Sequence, residues 1–261
     1  MNYQTLNFDL TEGVATITLQ RKDNPANALN SQMAEELFDV SVRSGAPEVR
    51  AVIITAAGKM FCGGGDLSEM DGAEDKQGFL TRMATLLHAG VTRFAHIDAP
   101  VIIAVNGTAG GGGFSIMLSG DYVIASEKAK FVSAYTASGL TPDGSSTYYL
   151  AKHVGLLRAK EMMLTNRVLT AAEAKDWGLV TKVVAPEDVL PEAQALAKQI
   201  ASGPTKAFGG VKRLLNTAFS DGLETQLDRE TRSIASMMQT EDAPAGIAAF
   251  LAKETPRYRG K

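Results

Sequence analysis

The sequence predicts an α/β fold that has a parallel sheet at its core and a helical segment at its C-terminal end. Short apolar runs, typical of buried parallel strands, alternate with stretches of helical periodicity over residues 1–190. Such alternation favours parallel strands joined by right-handed crossovers. After residue 190 only helical patterns occur, so we expect one main domain over 1–190 and a helical segment over 191–261.

Four segments carry the strand patterns. The segment VATITLQ (14–20) is rich in β-branched residues, which favour strands. The other three are short apolar runs of the kind that a parallel sheet buries on both faces. They are VRAVIITAA (49–57), APVIIAVNG (99–107) and DYVIAS (121–126).

Helical patterns occupy most of the remaining chain. One helix is predicted at 30–42, where Asn30 and Ser31 are candidate caps, and another at 76–97. The apolar residues of the second helix recur at helical spacing, and they are Leu80, Met83, Leu87, Val91 and Phe94. Shorter helices are expected at FSIMLSG (114–120) and after the turn TPDG (141–144). The C-terminal helices are predicted at 191–203, 205–219, 221–238 and 243–254.

The composition excludes several classes of function. The chain is 45% hydrophobic and 21% charged, as is usual for globular proteins, and its net charge of -3 gives no reason to expect nucleic acid or a membrane surface as a partner. We find neither a signal-peptide pattern nor an apolar run of membrane-spanning length, so we expect a cytoplasmic protein. Cys62 is the single cysteine, and the three histidines are well separated, so no disulfide and no metal site are expected.

Two glycine runs, CGGGDLSEM (62–70) and AGGGGFSIM (109–117), each follow a buried strand and lead into a helix. Phe114 stands where a P-loop requires lysine, and the spacing does not match a dinucleotide fingerprint. Asp66 and Glu69 resemble a capping arrangement for a short helix. Free N–H groups at two helix starts can form an oxyanion hole. The residues alone leave open a second interpretation, in which both runs are packing turns.

Five motifs in the same order resemble those of the crotonase (enoyl-CoA hydratase/isomerase) superfamily. They are LQRKDNPANALN (19–30), MFCGGGDLSEM (60–70), the long segment from Ala99 to Phe131, EAKDWGLVTKVV (173–184) and AAFLAK (248–253). The resemblance implies a spiral of ββα turns with a helical trimerisation segment. It also implies an acyl-CoA thioester substrate, no cofactor other than the CoA of that substrate, and a homotrimer or dimer of trimers.

The resemblance also implies roles for individual residues. The backbone N–H groups of Gly65 and Gly112 would form the oxyanion hole, and Gly63 and Leu67 would line the adenine pocket. Phe250 and Lys253 would contact the CoA that is bound to a neighbouring subunit. Lys22 and Arg21 are further candidates for CoA contacts, on a loop whose basic residues differ in role among family members. Without the resemblance, the residues favour a solvated helix lysine at Lys253.

The expected reaction follows from the acid/base residues. Hydratases of the superfamily use two glutamates, and Ser115 and Tyr135 stand at those positions here. Water addition needs one group to activate water and another to manage the α-proton, so these residues do not favour a hydratase. Ser115 is typical of a packing residue, and Tyr135 of either an acyl-pocket wall or the core.

Asp143, in GLTPDGSS (139–146), is the nearby carboxylate. Its segment is similar to those of Δ3,Δ2-enoyl-CoA isomerases and of ring-epoxide isomerases that act on phenylacetyl-CoA derivatives. One carboxylate suffices to move a proton from C2 to C4, so we expect an enoyl-CoA isomerase with Asp143 as its acid/base. In the structural alternative, Asp143 caps the helix that starts near Gly144.

The second half of the chain also resembles 4-chlorobenzoyl-CoA dehalogenases, notably over 156–180. In those enzymes an aspartate matching Asp143 attacks the aryl carbon and a histidine matching His88 assists ester hydrolysis. Tyr135 replaces their active-site tryptophan, and Gly65 replaces an aromatic residue of their oxyanion hole. The alternatives to an isomerase are therefore dehalogenase or hydrolase chemistry through Asp143 and His88, a hydratase, and a non-catalytic acyl-CoA-binding homologue.

Overall fold

The structure is a computed structural model that describes residues 3–261. In that part of the chain the strands are β1 (Leu6–Thr11), β2 (Val14–Leu19), β3 (Ala51–Ala56), β4 (Met60–Cys62), β5 (Val101–Val105), β6 (Thr108–Gly110), β7 (Tyr122–Ser126), β8 (Lys130–Val132), β9 (Leu169–Thr170) and β10 (Lys182–Val184). The α-helices are α1 (Ser31–Arg43), α2 (Leu67–Gly72), α3 (Lys76–His96), α4 (Gly112–Leu118), α5 (Ser146–Thr165), α6 (Ala171–Asp176), α7 (Val189–Ala201), α8 (Thr205–Thr217), α9 (Leu223–Met237) and α10 (Asp242–Ala252).

The strands form two sheets. The larger sheet has the order β1-β2-β3-β5-β7-β10, and all of its pairings are parallel except that between β1 and β2. The smaller sheet has the order β4-β6-β8-β9, in which only the β8–β9 pairing is antiparallel. The pairs β3/β4, β5/β6 and β7/β8 each give their first strand to the larger sheet and their second to the smaller one. The chain therefore winds as a spiral of ββα turns.

The central strands β3 and β5 are buried along their whole length, as their continuous apolar sequences predict. Successive side chains point to opposite faces, so Val52 and Ile54 pack in one core cluster while Ala51 and Ile53 pack in another. Helix α7 covers the second face with alanines four residues apart, which let its backbone approach the sheet closely.

The predicted boundary between residues 190 and 191 falls inside α7. The division of the chain into two segments remains a prediction.

Helix α8 is tied to the main body by a buried lysine. The Lys212 ammonium lies 2.7 Å from the Asp121 carboxylate and donates to the carbonyl oxygens of Phe94 and Ala99 at 2.9 and 3.0 Å. Burial lowers the pKa of Lys212 and raises that of Asp121. All three ammonium hydrogens therefore have acceptors, which is what allows this charge to be buried.

The predicted strands and long helices occur where the sequence indicates them. Asn30 caps α1 by accepting from the N–H of Met33 at 2.9 Å, and Asp66 caps α2 by accepting from the N–H groups of Ser68 and Glu69. The strands of the smaller sheet were not predicted, because two or three residues carry no readable periodicity. Among the described residues, no helix combines the length and the apolar composition that crossing a membrane requires.

Candidate active site

A cavity of about 540 Å³ lies between the two glycine runs, helix α3 and the loop that leads into α5. Its wall includes both predicted oxyanion-hole residues, Gly65 and Gly112, together with Tyr135 and Asp143. Apolar side chains of α2 and α3 form much of the remaining wall, and they include Leu67, Met70, Leu80, Met83, Ala84 and Leu87. The cavity thus combines a few polar groups with an apolar surface, as small-molecule sites do.

The two glycine runs lie directly against each other at the bottom of this cavity. A Cβ on Gly64 would come within 3.3 Å of the Gly110 carbonyl oxygen, and one on Gly111 within 3.3 Å of the Gly64 Cα. Both residues also have positive φ angles, +112° and +48°. A Cβ on Gly113 would lie 2.5 Å from the Cys62 Cβ and still closer to the Cys62 carbonyl oxygen. Only residues without side chains permit this contact between the loops.

The N–H groups of Gly65 and Gly112 are unpaired within the described residues 3–261. Gly65 is held in place on both sides, because the Leu29 N–H donates to the Gly64 oxygen at 2.7 Å and the Asp66 N–H donates to the Leu29 oxygen at 2.8 Å. Gly112 is the first residue of α4, where a helix has no internal acceptor for its N–H groups. Two fixed and unpaired donors therefore belong to the wall of one cavity.

Arg21 anchors the loop that carries the first of these donors. Its buried guanidinium donates to the Asp66 carboxylate at 2.6 Å, to the Ala28 oxygen at 2.9 Å and to Asp23 at 2.5 Å. The Ser68 hydroxyl and the Arg21 guanidinium lower the pKa of Asp66 to about 2, so this cap is ionised at neutral pH. The guanidinium N–H groups of Arg21 are thus bound by acceptors within the protein, whereas the side chain of the neighbouring Lys22 is exposed.

Asp143 meets His88 at the edge of the cavity. The His88 Nε2 on α3 forms a hydrogen bond with Asp143 Oδ1, and the two side chains are 49% and 35% exposed. His88 itself is not part of the cavity wall. The capping interpretation of Asp143 is wrong, because Ser145 is the N-cap of α5 and no side chain caps that helix. The carboxylate is bound by the imidazole instead of by the helix amides.

Ser115 and Tyr135 form a hydroxyl pair behind Asp143. Their oxygens lie 2.8 Å apart, and the Ser115 hydroxyl donates to the main-chain oxygen of Asp143 at 2.7 Å. Burial raises the pKa of Tyr135 well above its ordinary value, so the phenol is neutral at physiological pH. Ser115 is buried, as a packing residue would be, but its hydrogen bonds were not predicted. A lone serine in a sequence carries no signal for such contacts.

The remaining predicted residues are divided between two places. Gly63 and Leu67 belong to the cavity wall. Phe250 and Lys253 are on or just after α10 and do not line this cavity within one chain. Phe250 is 82% exposed and borders a separate apolar groove of about 320 Å³ between α8 and α10. Within residues 3–261 no cluster of three or more histidine, cysteine, aspartate or glutamate side chains is arranged to hold a metal ion.

Comparison with known proteins identifies the family. The family model described as enoyl-CoA hydratase/isomerase matches residues 9–261. The chain belongs to the enoyl-CoA hydratase/isomerase family. This is the crotonase superfamily that the five sequence motifs predicted. Members of this family are acyl-CoA enzymes, and the names of the relatives include more than one reaction.

Three curated relatives of the enoyl-CoA hydratase/isomerase family illustrate that span. A "Probable enoyl-CoA hydratase" from Rhodobacter capsulatus is 35% identical over 261 residues, which is 100% of both chains. The 1,2-epoxyphenylacetyl-CoA isomerase of Escherichia coli is 35% identical over 253 residues, 96% of each chain. A 4-chlorobenzoyl coenzyme A dehalogenase from an Arthrobacter species is 32% identical over 252 residues, 95% of this chain and 91% of the relative.

Solved structures of the family confirm the fold. The crystal structure of an enoyl-CoA hydratase from Bacillus anthracis superimposes with a TM-score of 0.92 at 32% identity, covering 99% of this chain and 100% of that one. The predicted ββα spiral with a helical C-terminal segment is therefore confirmed. The individual reaction depends on the cavity residues, since one fold serves several chemistries.

Proposed function

We propose that this protein is an enoyl-CoA isomerase that moves a double bond from C3 to C2 of an acyl-CoA thioester, with Asp143 as its acid/base. One observation carries the proposal. Among the described residues, Asp143 supplies the only carboxylate in the wall of the cavity that also contains the unpaired N–H groups of Gly65 and Gly112. A single carboxylate and an oxyanion hole are the minimum that this double-bond shift requires.

The two N–H groups would stabilise the negative charge of the intermediate. The thioester oxygen accepts from Gly65 and Gly112, and it gains charge as the substrate becomes a dienolate. Donors that are already fixed and unpaired need no reorganisation, and each such donor contributes about 3 kcal/mol in acyl-transfer enzymes. The N-terminus of α4 adds a partial positive charge beside Gly112.

Asp143 would carry the proton in both steps. Its carboxylate removes a proton from C2 of the 3-enoyl thioester, the electron pair of that C–H bond forms a C1–C2 double bond, and the carbonyl pair moves onto the thioester oxygen to give the dienolate. The oxygen's pair then re-forms the C=O bond, the C1–C2 pair shifts to form the C2–C3 double bond, and the C3–C4 pair takes the same proton from the carboxyl at C4. The hydrogen bond between His88 Nε2 and Oδ1 holds the carboxylate at the edge of the cavity, and the second oxygen, Oδ2, would carry the proton.

Several relatives have hydratase names, so the preference for an isomerase must come from the site residues. Hydration needs a second group that activates water, and the two positions that hold glutamates in hydratases carry Ser115 and Tyr135 here. Both hydroxyls are neutral and engaged in hydrogen bonds within the protein. Neither is a base at neutral pH, which is the reason to favour a one-carboxylate reaction.

The Asp143→Asn variant tests this proposal. Asparagine keeps the size of the side chain but cannot accept a proton, so we expect isomerase kcat to fall by about 10³-fold while acyl-CoA binding persists. The measurement is conversion of 3-enoyl-CoA to conjugated 2-enoyl-CoA by absorbance, with hydration of 2-enoyl-CoA followed in parallel. Isomerase activity that survives in Asp143→Asn, or a wild-type enzyme that hydrates but does not isomerise, would contradict the proposal.

A second candidate function uses Asp143 as a nucleophile, and the direct His88–Asp143 contact favours it. Asp143 would form an ester bond to the aryl carbon as the halide leaves with its electron pair, and His88 would take a proton from the water that hydrolyses this ester. The His88→Gln variant separates the candidates. An isomerase should stay nearly intact, whereas a dehalogenase should accumulate an aryl-enzyme ester that mass spectrometry of the intact protein detects.

The assembly and the CoA contacts are part of the same proposal. We infer a homotrimer or dimer of trimers from the apolar side chains that α8–α10 expose, among them Leu215, Ile234, Phe250 and Leu251. In that assembly Lys253 would meet a CoA phosphate as a point charge, and Gly63 and Leu67 would contact the adenine. Light scattering of the purified protein tests the oligomer, and Lys253→Ala should raise the KM for acyl-CoA with kcat unchanged.

A cytoplasmic location is proposed because the chain has a single, unpaired cysteine, as is usual for proteins of a reducing compartment.

A further inference from the structure

We propose that Ser115 and Tyr135 are positioning residues that hold the main chain of Asp143, and so aim its carboxylate into the cavity. They occupy the places where hydratases of the family have glutamates, but here they act on the acid and not on the substrate. The inference rests on the proposed role of Asp143. It adds that these two hydroxyls support the acid.

The first observation is the number of donors on one carbonyl. The Asp143 oxygen accepts from the Ser115 hydroxyl at 2.7 Å, from the Ser146 hydroxyl at 2.9 Å and from the Ser146 N–H at 3.2 Å. Tyr135 Oη lies 3.2 Å from the same oxygen. A carbonyl with two lone pairs is thus surrounded by donors, which fixes the peptide plane that carries the Asp143 side chain.

The second observation is the direction of the hydroxyl hydrogens. Ser115 has a single hydroxyl hydrogen, and its shortest contact is with the Asp143 oxygen at 2.7 Å, compared with 3.2 Å to the Gly111 oxygen. Ser115 Oγ is then free to accept the hydrogen of Tyr135, whose oxygen lies 2.8 Å away. The bonds run in one sequence from Tyr135 to Ser115 to Asp143, and such chains strengthen each of their members.

The third observation is the backbone that follows the acid. Gly144 and Ser145 both have positive φ angles, +62° and +76°, and this conformation costs free energy for a residue with a side chain such as Ser145. Ser115 packs directly beneath this turn, because a Cβ on Gly144 would lie 2.8 Å from the Ser115 Cβ. The turn is therefore held by contacts outside itself, with Ser115 on the main chain, Tyr135 on Ser115 and His88 on the carboxylate.

Ser115 also joins the acid to the oxyanion hole. It lies on α4, one turn after Gly112, whose N–H is one of the two unpaired donors. A group that fixes Asp143 from this helix sets the distance between the acid and the thioester oxygen. Misplacement of a catalytic group by about 1 Å costs up to about a hundredfold in rate.

Kinetics of Ser115→Ala and Tyr135→Phe test the proposal against a matched control, Ser133→Ala. Ser133 is fully buried like Ser115, but its hydroxyl has no partner within residues 3–261. We expect kcat to fall by about ten- to a hundredfold in the two test variants, with KM within about twofold of wild type, and no change in the control. If KM rises and kcat does not fall, the proposal is overturned.

A double-variant comparison separates positioning from direct action. If Ser115 acts only through Asp143, adding Ser115→Ala to Asp143→Asn should cause no further loss of the residual rate. The same holds for Tyr135→Phe. A loss of equal size in the Asp143→Asn background would mean that the hydroxyls act on the substrate themselves, and it would overturn the proposal.

Amide hydrogen exchange provides a readout that does not depend on turnover. Ser115→Ala and Tyr135→Phe should increase exchange in residues 141–147 at least tenfold, whereas Ser133→Ala should leave that segment unchanged. Unchanged protection of residues 141–147 in both test variants would refute the proposal that Ser115 and Tyr135 hold Asp143 in place, even if the enzyme is active. A wild-type protein without isomerase activity but with this exchange pattern would refute only the proposed reaction. Should Ser115→Ala fail to fold, Tyr135→Phe, which keeps the ring, decides the question.

Discussion

Replacing Gly113 by alanine should displace the helix that carries one oxyanion donor. The new Cβ would lie 2.5 Å from the Cys62 Cβ and closer still to the Cys62 carbonyl oxygen, while ordinary contact begins at 3.4 Å. The obstacle is the backbone of β4, which cannot rotate away as a long side chain can. Helix α4 must therefore retreat by about 1 Å, and the Gly112 N–H moves with it.

The cost can be worked out from this geometry. Overpacking of this size destabilises a protein by about 1–3 kcal/mol, which exceeds the gain of about 0.5–1 kcal/mol that alanine gives over glycine inside a helix. A net loss of about 1–2 kcal/mol is expected in urea denaturation. The displaced donor should lower kcat by up to about a hundredfold, because oxyanion stabilisation depends on donor position.

The matched control is Gly72→Ala at the end of α2. Gly72 is also a helical glycine, but a Cβ there meets nothing within 4 Å. Its substitution should leave both the free energy of unfolding and kcat within about 0.5 kcal/mol and twofold of wild type. Equal stability and equal kcat of Gly113→Ala and Gly72→Ala would refute the argument that contact between the two glycine loops positions the oxyanion hole.

Two further predictions concern buried charges. Lys212→Met removes the ammonium from the Asp121 carboxylate, which then keeps the Val101 N–H as its donor at 2.7 Å. Because the Asp121 side chain is 32% exposed, the free energy of unfolding should fall by about 1–3 kcal/mol in urea denaturation, less than for a fully buried pair. A loss below 1 kcal/mol would show that α8 does not depend on this contact. The folded pKa of Asp66 is about 2, below its ordinary value of 3.8, so its contribution to stability is complete above pH 4 and is lost as the pH falls toward 2. Asp66→Asn should reduce the fall in stability over that interval, and an unchanged pH dependence would contradict the assigned ion pair with Arg21.

Much of the fold follows from periodicity and glycine placement. The run at 101–105 is apolar at every position because the two faces of its strand pack in two separate core clusters, and this is the pattern that predicts a parallel sheet. The strands of the smaller sheet escape prediction because they are two or three residues long. Leu80 and Leu87 were predicted as helix-face residues, and both contribute to the cavity wall. Apolar periodicity alone does not distinguish a packed core from the wall of a pocket.

The site itself was predicted mainly through resemblance to a family. The interpretation that proved wrong, a capping role for Asp143, came from the local turn sequence. A capping role for Asp143 fits the turn sequence, because aspartate before a helix is a common cap. In the structure the carboxylate forms a hydrogen bond with His88, a residue 55 positions earlier in the chain. Contacts of such sequence separation depend on how the spiral stacks its turns, and no local pattern encodes them. The Ser115–Tyr135 pair is hidden for the same reason.

The contact between the glycine loops has a consequence for how new reactions arise on this scaffold. Gly64 and Gly111 each face the other's backbone, so neither loop can acquire a side chain at these positions unless the other yields. The oxyanion hole therefore changes as a unit or not at all. The acid stands on a third loop, outside the contact between the two glycine loops, and is joined to the hole through Ser115 on α4. A change of proton chemistry on this scaffold must therefore be made in that third loop and its supporting hydroxyls, while the glycine contact stays as it is.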